Sequence, residues 1–112
     1  MRAYPWGNKF EPTKANTGES GIDQTTSVTQ YSQGASPYGV IDMSGNVWEW
    51  SLTDWLTGAH EVNRTDVSWL LRGGSWSSDQ NNARAASRYG SVRPLNRASS
   101  IGFRLVCLPP FR

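Results

Sequence analysis

One cysteine, Cys107, and one histidine, His60, occur in 112 residues. A lone thiol excludes an internal disulfide, a cysteine-rich zinc site and any two-cysteine redox cycle. Standing in IGFRLVCL, it reads as a small buried hydrophobe. A lone histidine cannot build a multi-histidine iron site or complete a nucleophile, base and orienter constellation. Its polar neighbours, TGAHEVNRTDVS, place it on an exposed loop. No apolar run is long enough to cross a bilayer, and MRAYPWG lacks the apolar stretch of a signal peptide. A cytoplasmic location is therefore the default expectation, no membrane partner is expected, and the glycosylation sequon at Asn63 reads as coincidental. Sustained helical periodicity is missing as well.

Glycine, proline and tryptophan are plentiful instead, at 11, 6 and 6. With charged residues at only 18% of the chain, this composition favours turns and short strands over long amphipathic helices. A chain of this length has room for one small core and reads as one domain, residues 1–112. Tryptophan rings can supply much of the apolar surface that a loop-rich fold otherwise lacks. Trp48, Trp50 and Trp76 are expected in the core first and as a ligand platform second.

The net charge of +2 hides an asymmetry, because residues 71–112 carry seven Arg and a single Asp. Such a basic segment could attract nucleic acid or an acidic partner. No recognition helix or aromatic RNA-binding motif accompanies it, so nucleic acid is disfavoured, and Arg72 and Arg104, beside Gly-rich turns, are expected to make structural hydrogen bonds.

Along the chain, YPWGNKFEPTKANTGESGIDQTTSV reads as ordered loop. Val47 to Trp50 alternates as a strand, with Trp48 and Trp50 on one face and Val47 and Glu49 on the other. A polar loop over 57–68 precedes a strand at Trp69 to Arg72. Alternation returns at Phe103, Leu105 and Cys107, predicting a final strand.

The ordered blocks YPWGN (4–8), ANTGESG (15–21), SPYGVIDMSGNVWEW (36–50), LRGGSW (71–76) and IGFRLV (101–106) resemble the formylglycine-generating-enzyme, or sulfatase-modifying-factor, family. The resemblance covers nearly the whole chain and the C-terminal half to two-thirds of the usual family domain. It implies an α+β fold, a variant of the C-type lectin domain, irregular and loop-rich with a small antiparallel sheet. It also implies calcium: one ion held by the carbonyls of Asp42, Gly45 and Val47 and the side chain of Glu49, chemistry that suits a cation preferring oxygen ligands. A second ion would use Asn16 and the carbonyls of Thr17 and Ile22, although Ser20 stands where the family has an Asp. The alternative for Glu49 is an ion pair with an arginine.

The enzymes of the family use two cysteines that bind copper. Their positions, counted from RGGSW, fall at Ser78 and Ala83, and neither a hydroxyl nor a methyl replaces a thiolate toward Cu(I). The sequence thus predicts no copper and no catalysis by that route.

Residues Ser77 to Ile101 use a restricted vocabulary. Apart from Gln80 they contain only residues reachable from an asparagine codon by changing its adenines, and Lys, Glu, Met and Trp are absent. This resembles the variable region of proteins diversified by retroelements through adenine-directed mutagenesis. The resemblance implies a non-catalytic ligand-binding module with a hypervariable region at about 77–101 and a protein ligand. Ser77, Ser78, Asp79, Asn82, Tyr89, Ser91, Val92, Leu95 and Ser99 are the expected contact set, while Arg84 and Arg88 resemble framework. The alternative is a degenerate member assisting another catalytic domain, such as a non-haem iron sulfoxide synthase. A fused or associated signalling domain and a homo-oligomer formed through an open strand edge are further expectations.

Overall fold

The computed structural model describes residues 1–60, 63, 65–66, 68–92 and 97–110. Four short strands form one sheet: β1 (Trp48–Asp54), β2 (Trp69–Arg72), β3 (Tyr89–Val92) and β4 (Ile101–Gly102). Their order is β3-β2-β1-β4. β1–β2 and β2–β3 are antiparallel, and β4 runs parallel to β1 through Trp48–Ile101 and Glu49–Gly102. The sheet is thus mixed, where an antiparallel one was expected. Helical structure among the described residues is limited to two 3-10 turns, Gly18–Ser20 and Ser32–Gly34, and no helix there is long and apolar enough to cross a membrane.

β1 forms because its alternation is suited to a sheet with one covered face. Trp48 and Leu71 are buried together, with Trp50 and Ile101 packed against them. Tyr89 from β3 stacks on Trp48 at a centroid distance of 5.3 Å. Trp76 is half-buried and donates through Nε1 to the Ser99 carbonyl at 3.3 Å. The tryptophans therefore serve the core and its margin, as their number predicts.

Beyond Gly102 the expected strand does not continue. Phe103, Leu105 and Val106 are exposed, and so is Cys107, which was expected to be buried. The reason lies in Arg104, whose guanidinium binds the carbonyls of Ile41 and Asp42 and the carboxylate of Glu49. That attachment ties the chain to the 41–42 loop and not to Trp50 and Ser51, the next rungs of β1. His60 is exposed, as expected, and its Nδ1 lies 3.2 Å from Thr53 Oγ1.

The loops are held by buried polar groups. Asn46 is 6% exposed with φ +66°, a left-handed conformation that asparagine tolerates better than most residues. Its Oδ1 accepts from Thr26 N–H at 3.0 Å, while Nδ2 donates to Thr26 O at 3.2 Å and Asp42 Oδ2 at 3.0 Å. Its main chain donates to Asn16 O at 2.8 Å and accepts from Trp76 N–H at 2.9 Å. The next residue back, Gly45, has φ +80° and no room for a Cβ beside the Asn16 carbonyl.

Replacing Asn46 with Ala leaves the Thr26 amide and an Asp42 oxygen without partners and strains the turn. We expect Asn46→Ala to cost about 3 kcal/mol or more, read by urea unfolding followed through tryptophan fluorescence. A loss below 1 kcal/mol would contradict this role.

Candidate functional site

The segment after β2 leaves the sheet through Gly73 and Gly74, both at positive φ. Gly74 faces the Ala83 backbone, where a Cβ would stand 3.0 Å from Ala83 Cα. This close approach closes residues 74–83 into a loop. Ser75, fully buried, shares hydrogen bonds with the hydroxyls of Ser77 and Ser78 at 3.1 and 3.0 Å.

The loop is also gripped from outside. Gly18 N–H donates to Ser78 O at 2.8 Å, and Gln80 N–H donates to Glu19 Oε2 at 2.9 Å. The Tyr4 hydroxyl donates to Gln80 O at 3.0 Å. Burial raises the Tyr4 pKa, which keeps that hydroxyl protonated. All three contacts end on main-chain atoms of the loop, so they do not depend on which side chains it carries.

The expected ligand set divides accordingly. Ser77, Asp79 and Asn82 are exposed in this loop. Ser78 is half-buried, and its hydroxyl also accepts from Ser75 N–H at 3.2 Å, which makes it part of the loop's internal support. Asp79 Oδ1 accepts from the amides of Asn81 and Asn82 at 2.9 and 3.2 Å and shapes the turn. Ser99 is exposed and joined to this region through Trp76. Tyr89 stands on the sheet, half of its surface open at 51% exposure. Ser91 and Val92 belong to β3, and Leu95 lies outside the described residues. Arg88 sits 5.5 Å above the Trp55 ring, which itself packs against Gly90. Arg88 is thus anchored, whereas Arg84 is exposed.

Arg104, Glu19 and Trp55 were not among the expected site residues. For Arg104 the signal was present, since structural hydrogen bonding was expected of it. For Glu19 and Trp55 nothing in local periodicity points to residues 61 and 35 positions away in sequence.

Several of the oxygens expected to hold calcium, those of the Glu49 carboxylate, Asp42 O, Asn16 Oδ1 and Thr17 O, have other partners. Arg104 Nη2 and Nε bind Glu49 Oε1 and Oε2 at 2.7 and 2.9 Å, and Nη2 also reaches Asp42 O at 2.9 Å. The Glu49–arginine pair weighed from sequence is the arrangement found. At the second place, Ser20 Oγ donates toward Asn16 Oδ1 and Thr17 O at 3.0 and 2.7 Å, and Ser20 N–H donates to Thr17 O at 2.9 Å. One buried oxygen remains without a partner at each place, Asp42 Oδ1 and Thr17 Oγ1. Calcium needs six to eight oxygens, whereas Arg104 already takes both oxygens of Glu49 and the Asp42 carbonyl, and Ser20 donates to the Asn16 and Thr17 oxygens. As the side chains stand, neither place fits a calcium ion.

Burial pushes the Asp42 carboxyl above its ordinary value, outweighing the Asn46 hydrogen bond and the Arg104 charge. Such a group favours folding when protonated, and its contribution is lost as pH rises through the raised folded value. Asparagine keeps the side chain's size and its tolerance of φ +59°. The melting temperature of Asp42→Asn relative to the native chain should therefore move in the variant's favour between about pH 4 and about pH 7. A gap independent of pH would contradict the burial argument.

The topology, glycine turns and sparse helix define an irregular, loop-rich domain of the C-type-lectin-like type. Treponema denticola variable protein 1 has the same fold, with a TM-score of 0.75 and 24% identity over 92% of this chain and 40% of that one. Residues 1–108 match the sulfatase-modifying factor enzyme 1-like domain, and the chain belongs to that family. It is 30% identical to the inactive C-alpha-formylglycine-generating enzyme 2 of Bos taurus, over 92% of the chain and 36% of that protein. It is 32% identical to the formylglycine-generating enzyme of Mus musculus, over 92% of the chain and 33% of that protein. The chain thus spans about a third of the length of these relatives. One is described as inactive and the other as an enzyme, so family membership alone does not assign catalysis.

The Arg104–Glu49 pair is partly exposed, at 31% and 23%, which places its worth between surface and buried limits. Arg104→Met should cost about 1–2 kcal/mol. The native chain should melt at the same temperature in calcium and in chelator. A calcium-dependent rise would contradict this, by showing that Arg104 or Ser20 yields its oxygens to the ion in solution.

Proposed function

We propose that this chain is a non-catalytic ligand-binding module that displays a variable surface from about residue 77 to 101, with a protein as its ligand. The observation that carries the reading is how the 77–82 loop is held. Gly18, Glu19 and Tyr4 grip its main chain, while Ser77, Asp79, Gln80, Asn81 and Asn82 are exposed. A surface that must change without unfolding needs this separation of scaffold from contact residues. The exposed residue types also suit it: Tyr89 offers a rigid aromatic contact, and Ser and Asn offer adaptable hydrogen bonding.

The absence of a thiolate at Ser78 and Ala83 supports the non-catalytic part. Ala83 is buried beneath the loop, and Ser78 is committed to Ser75. The restricted vocabulary of residues 77–101 supports diversification by a retroelement.

The test is a library with Ser77, Asn82 and Ser99 varied together among the residues that asparagine codons can yield, leaving Tyr89 in place because it stacks on Trp48. Most members should stay folded, with melting temperatures within about 3 °C of the native chain, roughly the effect of neutral surface changes. A second copy of the coding segment for 77–101, differing only at adenines, should lie near the gene. General unfolding of the library would refute the display reading. A tolerant loop without such a copy would instead favour a degenerate domain that assists a catalytic partner.

A further inference from the structure

A cleft of about 350 Å³ lies outside the expected contact set, where four distant segments meet. Arg2, Arg72 and Arg84 line it, with Pro5, Pro37 and Met43 among the remaining surfaces, and no Asp or Glu does. Its walls are fastened by main-chain contacts. Ala85 N–H donates to Ala3 O at 2.7 Å, the buried Ser44 hydroxyl donates to Ala83 O at 2.6 Å, and Arg72 Nη2 donates to Ala85 O at 2.6 Å. The cleft is therefore set before any ligand arrives.

The guanidiniums are not spent in equal measure. Arg104 is consumed by Glu49 and two carbonyls, and Arg88 lies over Trp55. Arg72 makes one side-chain bond among the described residues, to Ala85 O, and a guanidinium has five N–H groups. Arg2 and Arg84 are exposed, and their side chains make no hydrogen bond or ion pair among the described residues. Three cations converging on one concavity repel each other, a cost that an anionic ligand would remove. Guanidinium forks match carboxylates in bidentate geometry. The proline and methionine surfaces between them suit the aliphatic parts of a peptide.

We infer that this cleft binds an acidic peptide segment of a partner protein, with carboxylates held by Arg2, Arg72 and Arg84 and apolar side chains against Pro5, Pro37 and Met43. A peptide fits better than a nucleic acid strand, because the cleft offers no aromatic ring pair for stacking bases and no basic stripe to follow a phosphate backbone. The inference goes beyond the display reading, since Arg2 and Arg72 lie outside residues 77–101 and Arg84, although within them, is not in the expected contact set.

The probe is a fluorescein-labelled octapeptide of alternating Glu and Leu, titrated by anisotropy against the full chain. Saturable binding is expected, with at least tenfold weakening in Arg84→Gln and in Arg2→Gln, whose exposed positions leave the fold intact. Rising salt should weaken it too. The same peptide with Gln for Glu should not bind, and Ser77→Ala with Asn82→Ala should bind as the native chain does. Three results would each overturn the inference: no saturable binding, binding indifferent to both arginine changes, or an octanucleotide binding as tightly as the peptide. Weakening by Ser77→Ala with Asn82→Ala would also overturn it, by moving the peptide to the display surface.

Discussion

The structure depends on a buried asparagine in a left-handed turn. Asn46 binds Asn16, Thr26, Asp42 and Trp76 at once. Asn16 and Thr26 flank the Gly18–Ser20 turn, Asp42 belongs to its own turn, and Trp76 lies in the segment after β2. No hydrophobic contact could substitute for it, because what it satisfies are main-chain polar groups that burial would otherwise leave unpaired. Glycine beside it is required by space, since Gly45 lies directly against the Asn16 carbonyl. A fold with so little regular structure has few ladders to satisfy its backbone, and side-chain amides and hydroxyls take over that work.

The same economy shapes the site. The sheet supplies a small core around Trp48 and Leu71, and Trp76 carries the chain from the Asn46 hub into the 77–82 loop. The loop then inherits rigidity from its base, from its main-chain grips and from the Ser78 hydroxyl and Asp79 carboxylate within it. This explains how exposed polar residues can stand in a defined geometry without an apolar residue among them. It also separates the residues whose change unfolds the protein from those whose change alters only the surface.

Much of this was legible in the sequence, for local reasons. Strand alternation marked the start of β1, the end of the polar 57–68 loop marked β2, the Gly-rich block at Arg72 marked a turn, and the polar run after Ser77 marked the loop. The polarity of β4 was not legible, because parallel pairing with β1 is set by tertiary contact and not by period. The final strand failed for a related reason: alternation at Phe103, Leu105 and Cys107 matched the pattern of a strand, but Arg104 had stronger partners elsewhere. Ser78 was read as a contact residue from its composition, and only the position of Ser75 shows that its hydroxyl is occupied. The family resemblance implied cation sites, yet a sequence cannot reveal that a guanidinium 55 residues away reaches the oxygens of Glu49.

Arginine accounts for the chain's second theme. Lysine is absent from residues 71–112, where seven arginines stand, and the described ones divide by what surrounds them. A guanidinium can satisfy several oxygens at once, as Arg104 does, or sit over an indole, as Arg88 does; an ammonium does neither as well. Arg72 shows the intermediate state, one N–H fixed to the Ala85 carbonyl while the residue lines the cleft. Fixing part of a guanidinium lowers the entropy lost when the rest meets a ligand. The residue type that locks this loop-rich fold is thus the same type that equips its open cleft, and the difference lies in whether a carboxylate or carbonyl of the chain itself is within reach.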